Sequence, residues 1–310
     1  MSHAPVMLNE VLEALAPVDG GVYVDGTFGA GGYTKAFLDH ANCTVVAIDR
    51  DPAAVARAES LKAEYGSRLV FVRGRFGDVE NLLKTAGFDK VDGFVLDIGV
   101  SSMQLDEAER GFSFRFDAPL DMRMGSDENT ETAADLVNTM EEGALADLIY
   151  KYGEERHSRR VARRIVEARA ESPIETTGRL ASIIRSAVPK SRDNIDPATR
   201  TFQALRIAVN DELGELERAL NAAEKILKPG GRIVVVSFHS LEDSIAKEFL
   251  HENAEGKARG SRYMPEIKND EGLFRLLHRK AVKPSDDETQ INPRARSARL
   301  RAAIRTEAQA

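Results

Sequence analysis

Short apolar runs recur through the first hundred residues with amphipathic stretches between them. Val22–Val24, Thr44–Asp49, Leu69–Val72 and Val91–Leu96 are rich in β-branched residues and bounded by turn formers, the pattern of buried strands. Leu8–Ala16 and Tyr33–His40 carry apolar residues at helical spacing. Another helix is predicted to open at Asp51-Pro52, where proline occupies an early helical position. Strands alternating with helices at this spacing predict right-handed crossovers and a parallel sheet.

After residue 105 the rhythm stops. Residues 106–196 hold no strand-like run; helical spacing covers Ala133–Tyr152, Arg159–Ala170 and Arg179–Val188 instead. The alternation resumes with a long helix predicted over 197–227, a stop at Lys228-Pro229-Gly230-Gly231, and a fifth strand over Arg232–Val236. The last forty residues read as polar and Arg-rich. The predicted architecture is therefore α/β, a doubly wound Rossmann-like sheet built from 1–105 and 197–310, with an all-helical domain inserted at 106–196.

Composition narrows the setting. A single cysteine, Cys43, excludes a disulfide framework and any Cys-rich metal cluster, and no pair of histidines has ligand spacing, so no metal site is expected. No apolar run approaches the roughly 18 residues needed to span a bilayer, and no signal pattern opens the chain. These features predict a cytoplasmic protein away from membranes. The net charge of −7 conceals segregation: 97–147 holds 13 acidic against 3 basic residues, whereas 151–206 holds 13 basic against 7 acidic and 275–305 holds 9 basic against 3 acidic. Basic stretches of this kind either meet phosphates or are solvated helix faces.

The first strand runs into a loop with glycines at 26, 29, 31 and 32, and the second strand ends in Asp49. A glycine loop followed by a strand-end acid is how such sheets hold a ribonucleoside, the acid accepting hydrogen bonds from ribose hydroxyls. The spacing is G-x-x-G-x-G-G, not the G-x-G-x-x-G that delivers a pyrophosphate to a helix N-terminus. S-adenosyl-L-methionine lacks phosphate and carries an ammonium beside a sulfonium, which suits a wider loop with Asp25 at its root. Phe76, just after the third strand, is either a flat face for an adenine ring or a core residue.

Asp97 closes the fourth strand, beside the switch point where a carboxylate can face both cofactor and substrate. Methylating an aromatic amine requires an aligned lone pair and then loss of a proton, and a carboxylate bonded to the amino group supports both. Asp97 is the candidate for that role, or it serves the cofactor. Carbon-5 methylation of cytosine needs a cysteine nucleophile, and Cys43 lies far along the chain from Asp97. His239, in Ser237-Phe238-His239-Ser240, follows the fifth strand and is either a structural histidine or a substrate contact.

Together these residues resemble the bacterial S-adenosylmethionine-dependent 16S ribosomal RNA (cytosine-N4)-methyltransferase family. The shared blocks run nearly the whole length and include Asp25–Gly29, Ala47–Pro52, Leu96–Ser102, Arg110–Phe114, Pro119–Met124, Tyr152–Arg156, Thr199–Ala204, Ser237–Asp243 and Asn292–Arg296. The resemblance implies a class I methyltransferase domain split by a helical insert for RNA recognition. It implies methyl transfer to N4 of one cytidine in the decoding region of the small subunit, with S-adenosyl-L-methionine held by Gly31, Gly32, Tyr33, Asp49, Phe76, Asp97 and Gln104. A homodimer acting on an assembled small ribosomal subunit is implied as well. One departure stands out: the family usually has histidine where this chain has Tyr33. Other readings of the same fold are a methyltransferase for another RNA, a protein or a small molecule, a dinucleotide-dependent reductase, and a ribosome assembly factor that binds cofactor without turnover.

Overall fold

The computed structural model describes residues 5–127, 130–189, 195–254 and 272–308. The chain divides into two units, one of residues 1–99 with 213–310 and the other of 100–212.

In the first unit the elements are α1 (Leu8–Leu15), β1 (Val22–Asp25), α2 (Gly32–His40), β2 (Thr44–Asp49), α3 (Pro52–Tyr65), β3 (Leu69–Arg73), α4 (Val79–Thr85) and β4 (Val91–Asp97). The strands form a seven-stranded sheet in the order β3-β2-β1-β4-β5-β7-β6, completed by β5 (Leu227–Ser237), β6 (Phe274–Leu276) and β7 (Arg299–Arg305). The first five strands are parallel, and β7 runs antiparallel to both β5 and β6. Strand order reverses beside β1, which creates a crevice at the carboxyl ends of β1 and β4.

Two-residue alternation explains how the sheet is buried on both faces. Val45, Ala47, Val95, Val234 and Val236 join one core with Leu15, Phe37 and Ala58. Val46, Ile48, Phe94, Leu96, Ile233 and Val235 join the other with Leu83, Leu216, Ala223 and Leu250. α1, α2 and α3 thus cover one face. On the other lie α4, the helix Glu212–Ile226 from Leu213 onward, and the helix Ser240–Ala254.

The second unit contains α5 (Ser102–Asp106), α6 (Ala133–Thr139), α7 (Glu142–Gly153), α8 (Ser158–Glu171), α9 (Thr177–Ala187) and α10 (Thr199–Asn210). Its core is built from residues four apart on single helices, Leu145 with Ile149, Val161 with Ile165 and Leu180 with Ile184, joined by Phe202 and Leu205 of α10. The remaining helices belong to the first unit: α11 (Glu212–Ile226, whose first residue alone falls in the second unit), α12 (Ser240–Ala254) and α13 (Asp286–Ile291). No helix among the described residues is long and apolar enough to cross a membrane.

Several elements differ from their sequence-based bounds. The stretch Ala133–Tyr152 is two helices. Asn138 and Thr139 bond back to the carbonyls of Ala134 and Asp135, and the chain is extended at Met140 before α7 begins with Glu142 in its first turn. The long helix over 197–227 breaks at Asp211, which is left-handed at φ 53°. Asn210 fixes that break, accepting from Met124 N at 2.8 Å and donating to the Met122 carbonyl at 2.7 Å. α10 therefore belongs to the helical core, and that unit spans more than residues 106–196. β5 begins at Leu227, so Lys228–Gly231 forms an irregularity within the strand, where register with β4 shifts between Val91 and Gly93. The Arg-rich tail contains β6 and β7: Leu300, Ala302 and Ala303 are buried, while Arg301 forms a bidentate pair with Asp243 at 2.7 and 3.0 Å.

Candidate active site

β1, β2 and β4 each end in an aspartate. Asp25 pairs with Ala47 and Val95, so it sits one pleat deeper than Asp49 and Asp97. The loop after β1 stays on the sheet for one step, with Gly26 N donating to the Val95 carbonyl and Phe28 N to that of Ile48, both at 3.0 Å. It then turns through Gly29 (φ 52°) and Gly31 (φ 79°), left-handed positions that favour glycine. Packing demands glycine too: a Cβ on Gly26 would lie 2.6 Å from Leu96 Cδ2, and one on Gly31 would lie 2.5 Å from Leu61 Cδ1. The loop is therefore bare backbone against the sheet end, and α2 starts from it.

Each acid is held differently. Asp25 is fully buried; Oδ2 accepts from Thr34 Oγ1 at 2.7 Å and Oδ1 from Thr27 N at 3.2 Å. Burial still dominates, and its carboxyl is pushed up to about 6. Asp49 accepts Gly29 N on Oδ2 at 2.7 Å and Asp51 N on Oδ1 at 2.9 Å, tying the glycine loop to the end of β2. Burial raises it as well. One lone pair on each Asp49 oxygen remains for a ligand hydroxyl.

Asp97 contrasts with both. Its backbone N donates to Thr27 Oγ1 at 2.7 Å, which anchors the end of β4 to the loop, yet its side-chain Oδ1 is buried with no hydrogen-bond partner. Burial first, then the neighbouring Asp25 and Glu242 carboxylates, push its carboxyl up to about 8. An orphaned buried acceptor costs about 1–3 kcal/mol and calls for a functional account.

Tyr33 follows Gly31 and Gly32, but its ring turns into the core. It stacks on Phe37 at 6.3 Å with 6° between planes, and its hydroxyl donates to the Val6 carbonyl. Pro5 packs where a Cβ of Gly32 would stand, and Met7 N donates to Glu288 Oε1 at 2.7 Å, so Pro5–Met7 lie against the start of α2. Phe76 is half-buried, with its Cβ 3.4 Å from the Cβ position of Gly26, which sets it beside the loop. Gln104 stands in the second unit, where it completes a capping box with Ser101 at the start of α5. Cys43 is buried and packs in the core, its Sγ 3.4 Å from the Phe37 carbonyl.

His239 precedes α12, and Glu242 in the first turn of that helix governs it. Glu242 is fully buried; its Oε2 accepts from Phe238 N at 2.8 Å and His239 N at 3.2 Å, and its Oε1 lies 2.9 Å from His239 Nε2. The histidine is thus bound into a helix cap. Glu242 is not among the residues singled out from the sequence; its only signal there is an acid three residues after His239, the spacing of a capping box.

The crevice of the first unit accordingly gathers Asp25, Asp49, Phe76, the glycine loop and Asp97. Three carboxylates around one bare loop suit a cationic ligand and oppose a pyrophosphate.

The MraW methylase family matches residues 1–306 of the chain. A protein of Rhodospirillum rubrum named ribosomal RNA small subunit methyltransferase H is 59% identical over 311 residues, covering 98% of this chain and 94% of its own length. Its namesake in Rhodospirillum centenum is 60% identical over 309 residues, covering 99% and 93%. Among solved structures, a putative rRNA-methylase from Clostridium thermocellum aligns over 100% of both chains with a TM-score of 0.45 and 10% identity.

Proposed function

The chain belongs to the MraW methylase family, and from that premise we propose that it transfers a methyl group from S-adenosyl-L-methionine to the exocyclic N4 of a specific cytidine in the decoding region of 16S ribosomal RNA. The observation that carries the reading is the orphaned Oδ1 of Asp97 on a crest of acids. A dinucleotide would bring phosphates to those carboxylates, whereas a sulfonium and an ammonium bring the charges they lack. The ligand fits the residues present: Asp49 keeps lone pairs for ribose hydroxyls, Phe76 flanks the loop for an adenine ring, and Gly31, Gly32 and Tyr33 offer backbone. Gln104 is assigned to the same ligand from the family resemblance. Bound there, S-adenosyl-L-methionine supplies an electrophilic methyl group on a cationic sulfur.

Asp97 then orients the amine. Its carboxylate accepts a hydrogen bond from the N4 amino group, directs the lone pair, and receives the proton that group sheds. Cys43, buried in the core, offers no nucleophile for carbon-5 chemistry. The ribosomal substrate is supported by the relatives' shared name, and the arginine-bearing face of α8 in the helical unit is assigned to RNA phosphates. From the same resemblance we take the assembled small subunit as substrate and a homodimer as the active form.

The test is tritiated methyl transfer to small subunits that lack the modification, followed by digestion to nucleosides. Label in N4-methylcytidine is the expected result. Label on a ring carbon, or none alongside a thermal shift with NAD and not with S-adenosylhomocysteine, overturns the reading.

A further inference from the structure

We propose that Asp97 distinguishes the methyl donor from the spent cofactor by charge, giving up a proton when the sulfonium enters the crevice and regaining one as the methyl group is passed on. This rests on the cofactor reading above and deepens it.

The geometry of the crest supports it. The backbone of Asp97 is anchored to the glycine loop through Thr27 Oγ1, and its Oδ1 is buried without a donor. The charged groups facing it are acids: Asp25 from the end of β1 and Glu242 from the first turn of α12. The Tyr33 phenol from α2 feels Asp97 as well, but burial holds its ionisation well above the usual range and it stays neutral. His239 lies against Glu242 Oε1, so its nearest charge partner is that carboxylate. A third negative charge among these groups is opposed by the other two and by burial, and at neutral pH the Asp97 carboxyl holds its proton. A cation arriving beside it reverses that balance.

Charge is conserved through the reaction. Asp97 is ionised in the donor complex, its proton having gone to solvent. As the carbon–sulfur bond breaks with its electron pair on sulfur and the N4 lone pair forms the new nitrogen–carbon bond, Asp97 Oδ1 takes the proton N4 releases. The product sulfur is neutral, and Asp97 again holds a proton. With Asp97 and the sulfur both neutral, the charge attraction that held the donor is gone, which favours release of product over retention.

The experiment is isothermal titration of the whole protein with S-adenosylmethionine and, separately, S-adenosylhomocysteine, in buffers of differing ionisation heat between about pH 6 and about pH 9. The ligands' own amino-group titrations are measured without protein and subtracted. The ratio of donor to product affinity is expected to rise about tenfold per pH unit until about pH 8 and then level, with close to one proton released per donor bound at pH 7. Asp97→Asn is expected to flatten that slope while still binding S-adenosylhomocysteine. If this variant fails to fold, the wild-type slope decides alone. A ratio independent of pH in the wild-type protein overturns the inference and leaves the cofactor assignment standing; failure of both ligands to bind at every pH overturns the assignment itself.

Discussion

With its hydroxyl on the Val6 carbonyl and its ring on Phe37, Tyr33 offers the crevice only a backbone N–H, one of those that the first turn of α2 leaves without a helical partner. Tyr33→Phe should therefore lower stability by about 1–2 kcal/mol, read from the denaturation midpoint, with affinity for S-adenosylhomocysteine unchanged. A large loss of affinity would mean that the hydroxyl, and not the backbone alone, governs the ligand site. At Asp97 the consequence is a pH dependence of stability. The folded carboxyl titrates at about 8 against 3.8 in the unfolded chain, so between those values the folded protein binds the extra proton. Its stability accordingly falls as pH rises from about 4 to about 8. Asn carries no such proton. The stability advantage of Asp97→Asn over wild type should widen across that window, as urea denaturation at pH 5 and pH 8 will show.

Among elements, α8 divides most sharply. Val161, Ala162 and Ile165 are buried, while Arg159, Arg160, Arg163 and Arg164 are exposed. Arg164 pairs with Glu167 and Arg163 stands 3.9 Å from Glu142, exposed pairs that contribute little to stability. Replacing the four by Glu should abolish methyl transfer to ribosomal substrate while the thermal shift with S-adenosylhomocysteine persists; parallel loss of both would indicate misfolding instead. The sheet crest was legible in the sequence because its chemistry is local: glycines and aspartates at strand ends announce a turn and a ligand within a few residues. β7 was not, since Arg299, Arg301 and Arg305 masked the alternation of Leu300 and Ala302, and Arg301 depends on Asp243, 58 residues earlier. The break after α10 was equally hidden. It depends on Asn210 reaching Met122 and Met124, contacts that no periodicity reveals. Tyr33 lay between these cases, because its position was plain but its direction depends on Val6.

At the scale of the molecule, two units carry separate cores. A ligand that binds the sheet crest stabilises the structure it contacts by an amount that grows with the logarithm of ligand concentration over its dissociation constant. Hydrogen exchange with saturating S-adenosylhomocysteine should therefore slow most in β1, β2, β4 and the start of α2, and least in the amides of α7, α8 and α9. Equal protection throughout would show that the two cores open as one cooperative unit.

The crowding of acids at the ends of β1, β2 and β4 also bears on how long the protein lasts in a cell. Burying these acids is costly, and a positively charged guest offsets that cost, so the ligand-poor form is the easier one to open and digest. Starving cells of methionine should then shorten the half-life of this protein in a pulse-chase experiment. Nutrient supply would thereby limit the catalyst's abundance as well as its turnover.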